Sequence, residues 1–546
     1  MSDRRPPTVA SLAIDALRRL EVDTLFCLPG VQNDDFFDAL VDAPDIRPVH
    51  TRHEQGASYM AMGAAQVSGR PAACCVVPGP GMLNAAAGLT SAYWGYARVL
   101  AIVGQLATIH RGRNLGALHD LPDQTAILAQ LTKATFVADQ PDRAAAEIQA
   151  AVDSLVSGVP RPVSLEVPAD VWGAPSAGSI STPAAAMPAA APADVERAAA
   201  LIARAERPLI VVGSGAYGAS GSVIELAERI QALVTTRRMG HGVVPTAHEL
   251  FVPITAAHRA WETTDLVIGI GTRLEWPLGT WGVDDDLSLI QINVDHDELD
   301  RHGATAVGIH ADADAACRAL LGALPTSARS SRAAEAAQLV AEFDDRTAHL
   351  EPQRSYTAAI REALPPEAVL VEDVTQIGFA AHLFYDHLEP RTFLSSGAAG
   401  TLGAGTAVAI GATTATDAPV VGIVGDGGFL FTATELATAV QHDIPCTILL
   451  FADSAYGNVR RIQATRFGAH RTIASDLRNP DFALLAESFG VRHWRADSPE
   501  SLIPALRAAS ELEAPALVEV EVGPMPDPWP FLRMRRVRGR ADGEDR

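Results

Sequence analysis

Short apolar runs alternate with amphipathic stretches along nearly the whole chain. TLFCLPG, AACCVVPGPG and RVLAIVGQ are strands that end in Gly/Pro turns, and helical patterns separate them. PLIVVGSG, DLVIGIGTR and LSLIQINVD repeat the theme in the middle of the chain. AVLVEDV, PVVGIVGDGG, PCTILLFAD and PALVEVEV repeat it again toward the end. Continuous apolar strands of this length, each followed by a helix, predict parallel sheets covered on both faces. Two stretches read as linkers: the Pro/Ala/Ser-rich Ala174–Asp194, and Pro325–Arg332, which precedes a helical pattern reaching about Arg346. They divide the chain into 1–173, 194–324 and 347–546, each of single-domain size. The expected fold class is α/β, with three doubly wound parallel-sheet domains. Sites in such sheets lie beyond the carboxyl ends of the strands.

Composition narrows the function. The 546 residues are 48% hydrophobic and 20% charged, enough to bury large cores. A net charge of -22 argues against nucleic acid or an anionic membrane as partner, since both need basic surfaces. Five scattered cysteines without a CxxC pair suit a reducing compartment and neither a disulfide scaffold nor a zinc module. The first residues have no secretory apolar core, and no apolar run is long enough to span a membrane. A cytoplasmic protein is expected. Lys133 is the single lysine among 43 basic residues, either a survivor of coding bias or a residue arginine cannot replace.

One motif is a decoy. Gly213-Ser214-Gly215-Ala216-Tyr217-Gly218 matches GxGxxG, follows an apolar strand and opens a helix, the local context of a dinucleotide site. About 20 residues on, where an acid should meet the ribose, the chain reads LVTTRRMGHG. The glycines are therefore read as a tight strand-to-helix turn, with a nucleotide-dependent oxidoreductase kept as an alternative.

The informative stretch is Gly425-Asp426-Gly427-Gly428-Phe429, followed by TATELATAVQHDIPCTILLFADSAYGN. Asp426 ends one strand, and Asp453 ends the next, 27 residues later. A strand–helix–strand unit returns the chain to the same sheet edge, so the two carboxylates can face each other. With a backbone carbonyl and diphosphate oxygens they would form an octahedral Mg²⁺ site. The flanking glycines allow backbone amides to approach a phosphate.

This spacing resembles the thiamine-diphosphate signature, with Ala452-Asp453 where many members carry Asn-Asn. Arg52-His53-Glu54-Gln55-Gly56-Ala57 and PGPGMLNAAAGLTSAY resemble the pyrimidine-binding domain of acetolactate-synthase-like enzymes. Leu394-Ser395-Ser396-Gly397 through Gly400-Thr401-Leu402-Gly403 resembles their diphosphate-domain loop, and Asn479-Pro480-Asp481-Phe482 and DPWPF fit the same family. The resemblance covers about residues 8–532. It implies a pyrimidine-binding domain (1–173), a central Rossmann-like domain (194–324) and a diphosphate- and Mg²⁺-binding domain (347–532).

The resemblance also implies roles. Glu54 contacts N1′ of the aminopyrimidine; a carboxyl in apolar surroundings can share a proton there. That promotes the imino tautomer at N4′, which takes the proton from C2. Leu402 holds the cofactor in a V shape, and the Gly400 carbonyl meets the 4′-amino group. Asp426, Asp453 and the Ala455 carbonyl hold Mg²⁺. Gly427, Gly428, Tyr456, Gly457 and Asn458 cradle the diphosphate. The cofactor lies between the first domain of one subunit and the third of another, which implies a homodimer or homotetramer.

The substrate pocket departs from true acetolactate synthases. His119 and Asp120 stand where those enzymes carry an aromatic residue and a glutamine; a histidine beside an acid can relay protons or orient a carbonyl. Lys133 and Arg273 match pocket residues, while Ile462 replaces a large tryptophan. Val31 and Gln32 lie on the turn that faces C2 in relatives. The middle block keeps its glycine loop but lacks clear flavin-pocket matches, which speaks against FAD. The expected activity is decarboxylation of a 2-oxo acid, with or without carboligation. Alternatives are a hydroxyketone lyase or carboligase acting without decarboxylation, and a non-catalytic cofactor-binding relative.

Overall fold

The computed structural model describes residues 7–185, 187–326 and 329–539. Residues 1–6 of the expected first domain, and 186 and 327–328 of the two expected linkers, lie outside the described residues. The chain folds into two compact units. One comprises Met1–Ala186, Ala368–Thr375 and Leu394–Val522; the other comprises Met187–Glu367, Gln376–Phe393 and Gly523–Arg546.

The first unit holds two six-stranded sheets. In the first, β1 (Thr24–Cys27), β2 (Arg47–His50), β3 (Ala72–Val76), β4 (Val99–Gln105), β5 (Ala134–Val137) and β6 (Val163–Pro168) lie in the order β2-β1-β3-β4-β6-β5. β7 (Pro208–Val212), β8 (Leu233–Thr236), β9 (Leu266–Ile270), β10 (Ser288–Asn293) and β11 (Val307–His310) form the five-stranded sheet of the second unit, in the order β11-β10-β9-β7-β8. The other sheet of the first unit uses β12 (Val369–Glu372), β13 (Phe393–Ser395), β14 (Val420–Gly425), β15 (Thr447–Ala452), β16 (Arg492–Ala496) and β17 (Ala516–Glu521). Its order, β13-β12-β14-β15-β17-β16, repeats that of the first sheet strand for strand. The described strand pairings are parallel in all three sheets, so the fold is three doubly wound α/β domains.

The apolar strands singled out from the sequence form the sheet interiors. Strands without such runs are β2, β5, β8, β11, β13 and β16, all at sheet edges, and β6, which lies inside the first sheet. Edge strands need only one apolar face. β16 reads RHWRA and β2 reads RPVH accordingly. The GxGxxG loop also differs in detail: a 3₁₀ turn at Ser214–Ala216 follows β7, and the helix begins only at Ser220.

Within the first unit, the Glu54–Ser68 helix crosses the Ala404–Thr413 helix. A Cβ on Gly63 would run into the Val408 carbonyl, and one on Gly411 would run into the backbone of Met60. Glycine at both points lets the backbones touch, which anchors the middle of the Glu54 helix against the Ala404–Thr413 helix.

Candidate active site

The parallel register of β14 and β15 pairs Gly425 with Phe451, so Asp426 and Asp453 leave neighbouring strand ends side by side. Asp426 is buried, at 1% exposure. Its Oδ1 accepts from the Gly427 N–H at 3.0 Å, and its Oδ2 accepts from Asn479 Nδ2 at 2.6 Å. Asp453 Oδ1 accepts from the Ala455 N–H at 3.1 Å. Burial, and then the negative charge of Asp426, push the Asp453 carboxyl up to about 6. Two carboxylates that repel each other in a low-dielectric setting suit a divalent cation, which relieves both costs. The donor set therefore fits Mg²⁺.

Glycines make room around this pair. A Cβ on Gly457 would strike Asp453 Oδ2, and one on Gly427 would come within 2.6 Å of the Tyr456 ring. Tyr456 is tied down by its N–H, which donates to the Ser475 carbonyl at 2.8 Å, and Asn458 Oδ1 accepts from Arg461 at 2.8 Å. Asn479 Oδ1 is buried without a hydrogen-bond partner among the described residues, so an uncommitted acceptor stands beside Asp426.

On the other side of β14, Asp373 follows β12. It accepts from the Val374 N–H at 2.8 Å and from the Gly403 N–H at 3.1 Å. A Cβ on Gly428 would lie 2.8 Å from its Oδ2. Burial pushes this carboxyl up to about 6. Asp373 thus pins the Gly400–Gly403 turn against the Asp426 helix. Leu402 is half-buried on that turn, and Gly400, at φ +57°, has open space around it. Thr401, between them, accepts from the Tyr59 hydroxyl at 2.8 Å.

Glu54 opens its helix at 8% exposure. Asn84 Nδ2 donates to its Oε2 at 3.0 Å, and a Cβ on Gly81 would sit 3.3 Å from its Oε1. Gly79, just before Asn84's helix, packs against the backbone of His119, which holds φ +70°. The Gly79 N–H donates to Gln124 Oε1 at 2.8 Å; Gln124 Nε2 donates to the buried Glu166 at 2.6 Å. His119 is therefore brought beside the helix that supports Glu54. Gln32 is buried with an unpartnered Oε1, while the adjacent Val31 is exposed.

Other predicted residues fall elsewhere. Asp120 Oδ2 closes its own loop on the Gly116 N–H at 3.0 Å. Lys133 is not brought to Glu54: it precedes β5, at the amino end of the sheet, whereas Glu54 follows β2 at the carboxyl end. Its ammonium donates to the Ser157 and Val159 carbonyls, each at 2.8 Å. Burial, with Arg98 and Arg161 nearby, lowers it to about 8. Ile462 is exposed on the Gly457–Phe467 helix, which buries none of its residues. Arg273 belongs to the second unit, after β9, 3.4 Å from Glu275. There too, a Cβ on Gly215 would strike Gly271, whose carbonyl accepts the Gly215 N–H at 3.0 Å. That amide is committed to the neighbouring strand, in keeping with a structural turn.

Asn479, Asp373 and Asn84 carry the site's hydrogen bonds without having been singled out. Asn479 and Asn84 lie inside motifs that were, but nothing local shows which polar atom reaches a carboxylate.

Comparison with known proteins agrees with this geometry. The N-terminal TPP binding domain of thiamine pyrophosphate enzymes matches residues 7–127, their central domain 195–320, and their C-terminal TPP binding domain 373–520. A probable 2-ketoarginine decarboxylase of Pseudomonas aeruginosa is 34% identical over 537 residues, 95% of each chain. A probable acetolactate synthase large subunit of Methanocaldococcus jannaschii is 31% identical, covering 94% of this chain and 92% of the relative. The acetolactate synthase isozyme 1 large subunit of Escherichia coli is 28% identical over 97% of each. With all three domain models matched in order, the chain belongs to the thiamine pyrophosphate enzymes, in the group of acetolactate synthases and 2-oxo acid decarboxylases.

Proposed function

We propose that this enzyme uses thiamine diphosphate and Mg²⁺ to decarboxylate a 2-oxo acid, with or without joining the remaining fragment to an acceptor. The observation that carries this reading is the facing pair Asp426 and Asp453 at adjacent strand ends. Asp426, Asp453 and the Ala455 carbonyl hold the cation, and Gly427, Gly428, Tyr456, Gly457 and Asn458 surround the diphosphate. Gly400 and Leu402 border the rings. Bound thiamine diphosphate supplies an electron sink at C2. Glu54, oriented by Asn84, is the group that would share a proton with an aminopyrimidine nitrogen. His119 and Gln32 are the residues we assign to orienting a substrate carbonyl or carboxylate, with Val31 beside Gln32 on the same turn.

We assign domains to 1–173, 194–324 and 347–532, and a homodimer or homotetramer in which Glu54 and Asp426 of one site come from different subunits. Exposed apolar residues around the metal loop support a subunit surface there: Leu430, Phe431, Val459, Ile462 and Phe467. Five buried free cysteines support a reducing, cytoplasmic setting.

The relatives' names direct the choice of donor, since one is named for 2-ketoarginine and others for acetolactate. The test is product mass after incubation with thiamine diphosphate, Mg²⁺, and pyruvate, 2-ketoarginine or other 2-oxo acids, with and without an aldehyde. CO₂ release with one donor supports the reading. No turnover of any 2-oxo acid, despite cofactor binding, would overturn it in favour of a hydroxyketone lyase or a non-catalytic relative.

A further inference from the structure

The turn that delivers Glu54 is gripped by a carboxylate from the third domain. Glu435 closes the Ala433–Glu435 turn that follows the Asp426–Thr432 helix, and it is fully buried. The Arg52 N–H donates to its Oε1 at 3.2 Å and to its Oε2 at 3.1 Å. The His53 N–H donates to Oε1 at 3.0 Å, and the Thr438 hydroxyl donates to Oε2 at 2.6 Å. Arg52 and His53 immediately precede Glu54, where a helix start leaves N–H groups without helical partners. The carboxylate approaches this closely because residue 56 is glycine: a Cβ there would strike Glu435. Neighbouring contacts follow the same seam. Arg52 Nη2 donates to Gln441 Oε1 at 2.6 Å, and the His50 N–H donates to His442 Nε2 at 3.2 Å.

A buried carboxylate is costly unless donors satisfy it. Here two of its donors are main-chain amides on the residues that aim Glu54. A backbone held this way has little freedom to swing the side chain that follows it.

We propose that Glu435 is a positioning residue: by holding the Arg52 and His53 amides it fixes the first turn of the Glu54 helix and so the direction of the Glu54 carboxylate. This rests on the role given to Glu54 above. Glu435 does not touch cofactor or substrate. Its removal should therefore weaken the step Glu54 serves and leave cofactor affinity nearly intact.

The experiment uses the full-length protein as wild type, Glu435→Gln, Thr438→Val and Glu54→Gln. In Glu435→Gln an NH₂ group replaces one acceptor oxygen and the negative charge is lost, so the Arg52 amide loses one of its two acceptors and every remaining bond to the Arg52 and His53 amides weakens. Two quantities are read: amide hydrogen exchange over residues 51–56 without cofactor, and exchange of the thiamine diphosphate C2 proton into D₂O with Mg²⁺. For Glu435→Gln, the loss of one such bond predicts about tenfold faster amide exchange and about tenfold slower C2-proton exchange. Thiamine diphosphate affinity should stay within a few-fold. Thr438→Val, the gentler change should Glu435→Gln fail to fold, removes one donor and should shift both readouts in the same direction by a smaller factor. Unchanged amide and C2-proton exchange in Glu435→Gln would overturn the proposal, as would a loss confined to cofactor affinity. If Glu54→Gln exchanges its C2 proton like wild type, the role of Glu54 falls and the proposal falls with it. If Glu54→Gln is impaired while Glu435→Gln is not, only the positioning role fails.

Discussion

Asn479 Nδ2 donates to Asp426 Oδ2 at 2.6 Å, linking the loop ahead of the Phe482–Phe489 helix to the buried carboxylate that ends β14. Asn479→Ala would leave that carboxylate one donor short, a cost of roughly 1–3 kcal/mol where a buried charged group loses its partner. Mg²⁺-dependent binding of thiamine diphosphate should weaken by about tenfold or more, measured by calorimetry. Asn479→Asp should be worse, because a third carboxylate would face the pair. Affinity equal to wild type in both variants would remove Asn479 from the support of the metal site.

Glu54→Ala should keep cofactor binding and lose most turnover. The carboxylate is held by Asn84 and is not among the groups assigned to the diphosphate. General acid–base groups contribute about 10²–10⁴-fold, so a fall of this size is expected in kcat. Activity within a few-fold of wild type would end the proton-sharing role.

Asp453→Ala should weaken cofactor binding in a way that depends on Mg²⁺ concentration. Gly457→Ala should reproduce the effect without touching a ligand, since its new Cβ would displace Asp453 Oδ2. The check is a titration of thiamine diphosphate at several Mg²⁺ concentrations. Curves superimposable on wild type would contradict the assignment of Asp453 as a ligand.

Lys133→Met tests whether that lysine serves the substrate or the fold. Its ammonium holds two carbonyls at the amino end of the first sheet. The expected outcome is a lower melting temperature with KM for the 2-oxo acid unchanged. A selective rise in KM would instead return Lys133 to the pocket.

The second unit should be sensitive to acid through a buried histidine cluster. The His241 and His387 rings stack at 4.0 Å, and His241 Nε2 lies 3.1 Å from His382 Nδ1. Burial lowers His387 to about 3 and holds His241 well below its ordinary range. Below pH 6.5 the unfolded chain gains protons that the folded rings refuse. Stability is therefore full above about pH 6.5 and falls as the pH drops toward 3. The interval corresponds to at most about 5 kcal/mol for His387. Protection factors for residues 376–393, which divide out the intrinsic pH dependence of amide exchange, should fall between pH 7 and pH 4.5, and His387→Phe should flatten that dependence. An equally steep dependence in the variant would place the sensor elsewhere.

Much of this protein is determined by local pattern. Continuous apolar strands, set between helical periods, dictate covered parallel sheets, because only such sheets bury both faces of a strand. The β14 and β15 sequences carry their aspartates at the strand ends, so parallel pairing alone brings Asp426 and Asp453 together. Glu54 sits at the head of an apolar helix, where an acid is ordinary; its role is legible only through the resemblance of the motif around it. Edge strands such as β2 and β16 leave no such mark, since a half-covered strand can be polar. The supports of the site leave none either. Asn479 reaches Asp426 across 53 positions, and Glu435 reaches the Arg52 amide across 383. Lys133 shows the converse: its rarity suggested chemistry, but its place at the amino end of β5 commits its ammonium to backbone carbonyls. Sequence periodicity records which face of an element is buried. Which polar atom meets which across the core is decided only when the elements pack, because a hydrogen bond depends on ångström-scale distance and direction that no local pattern encodes.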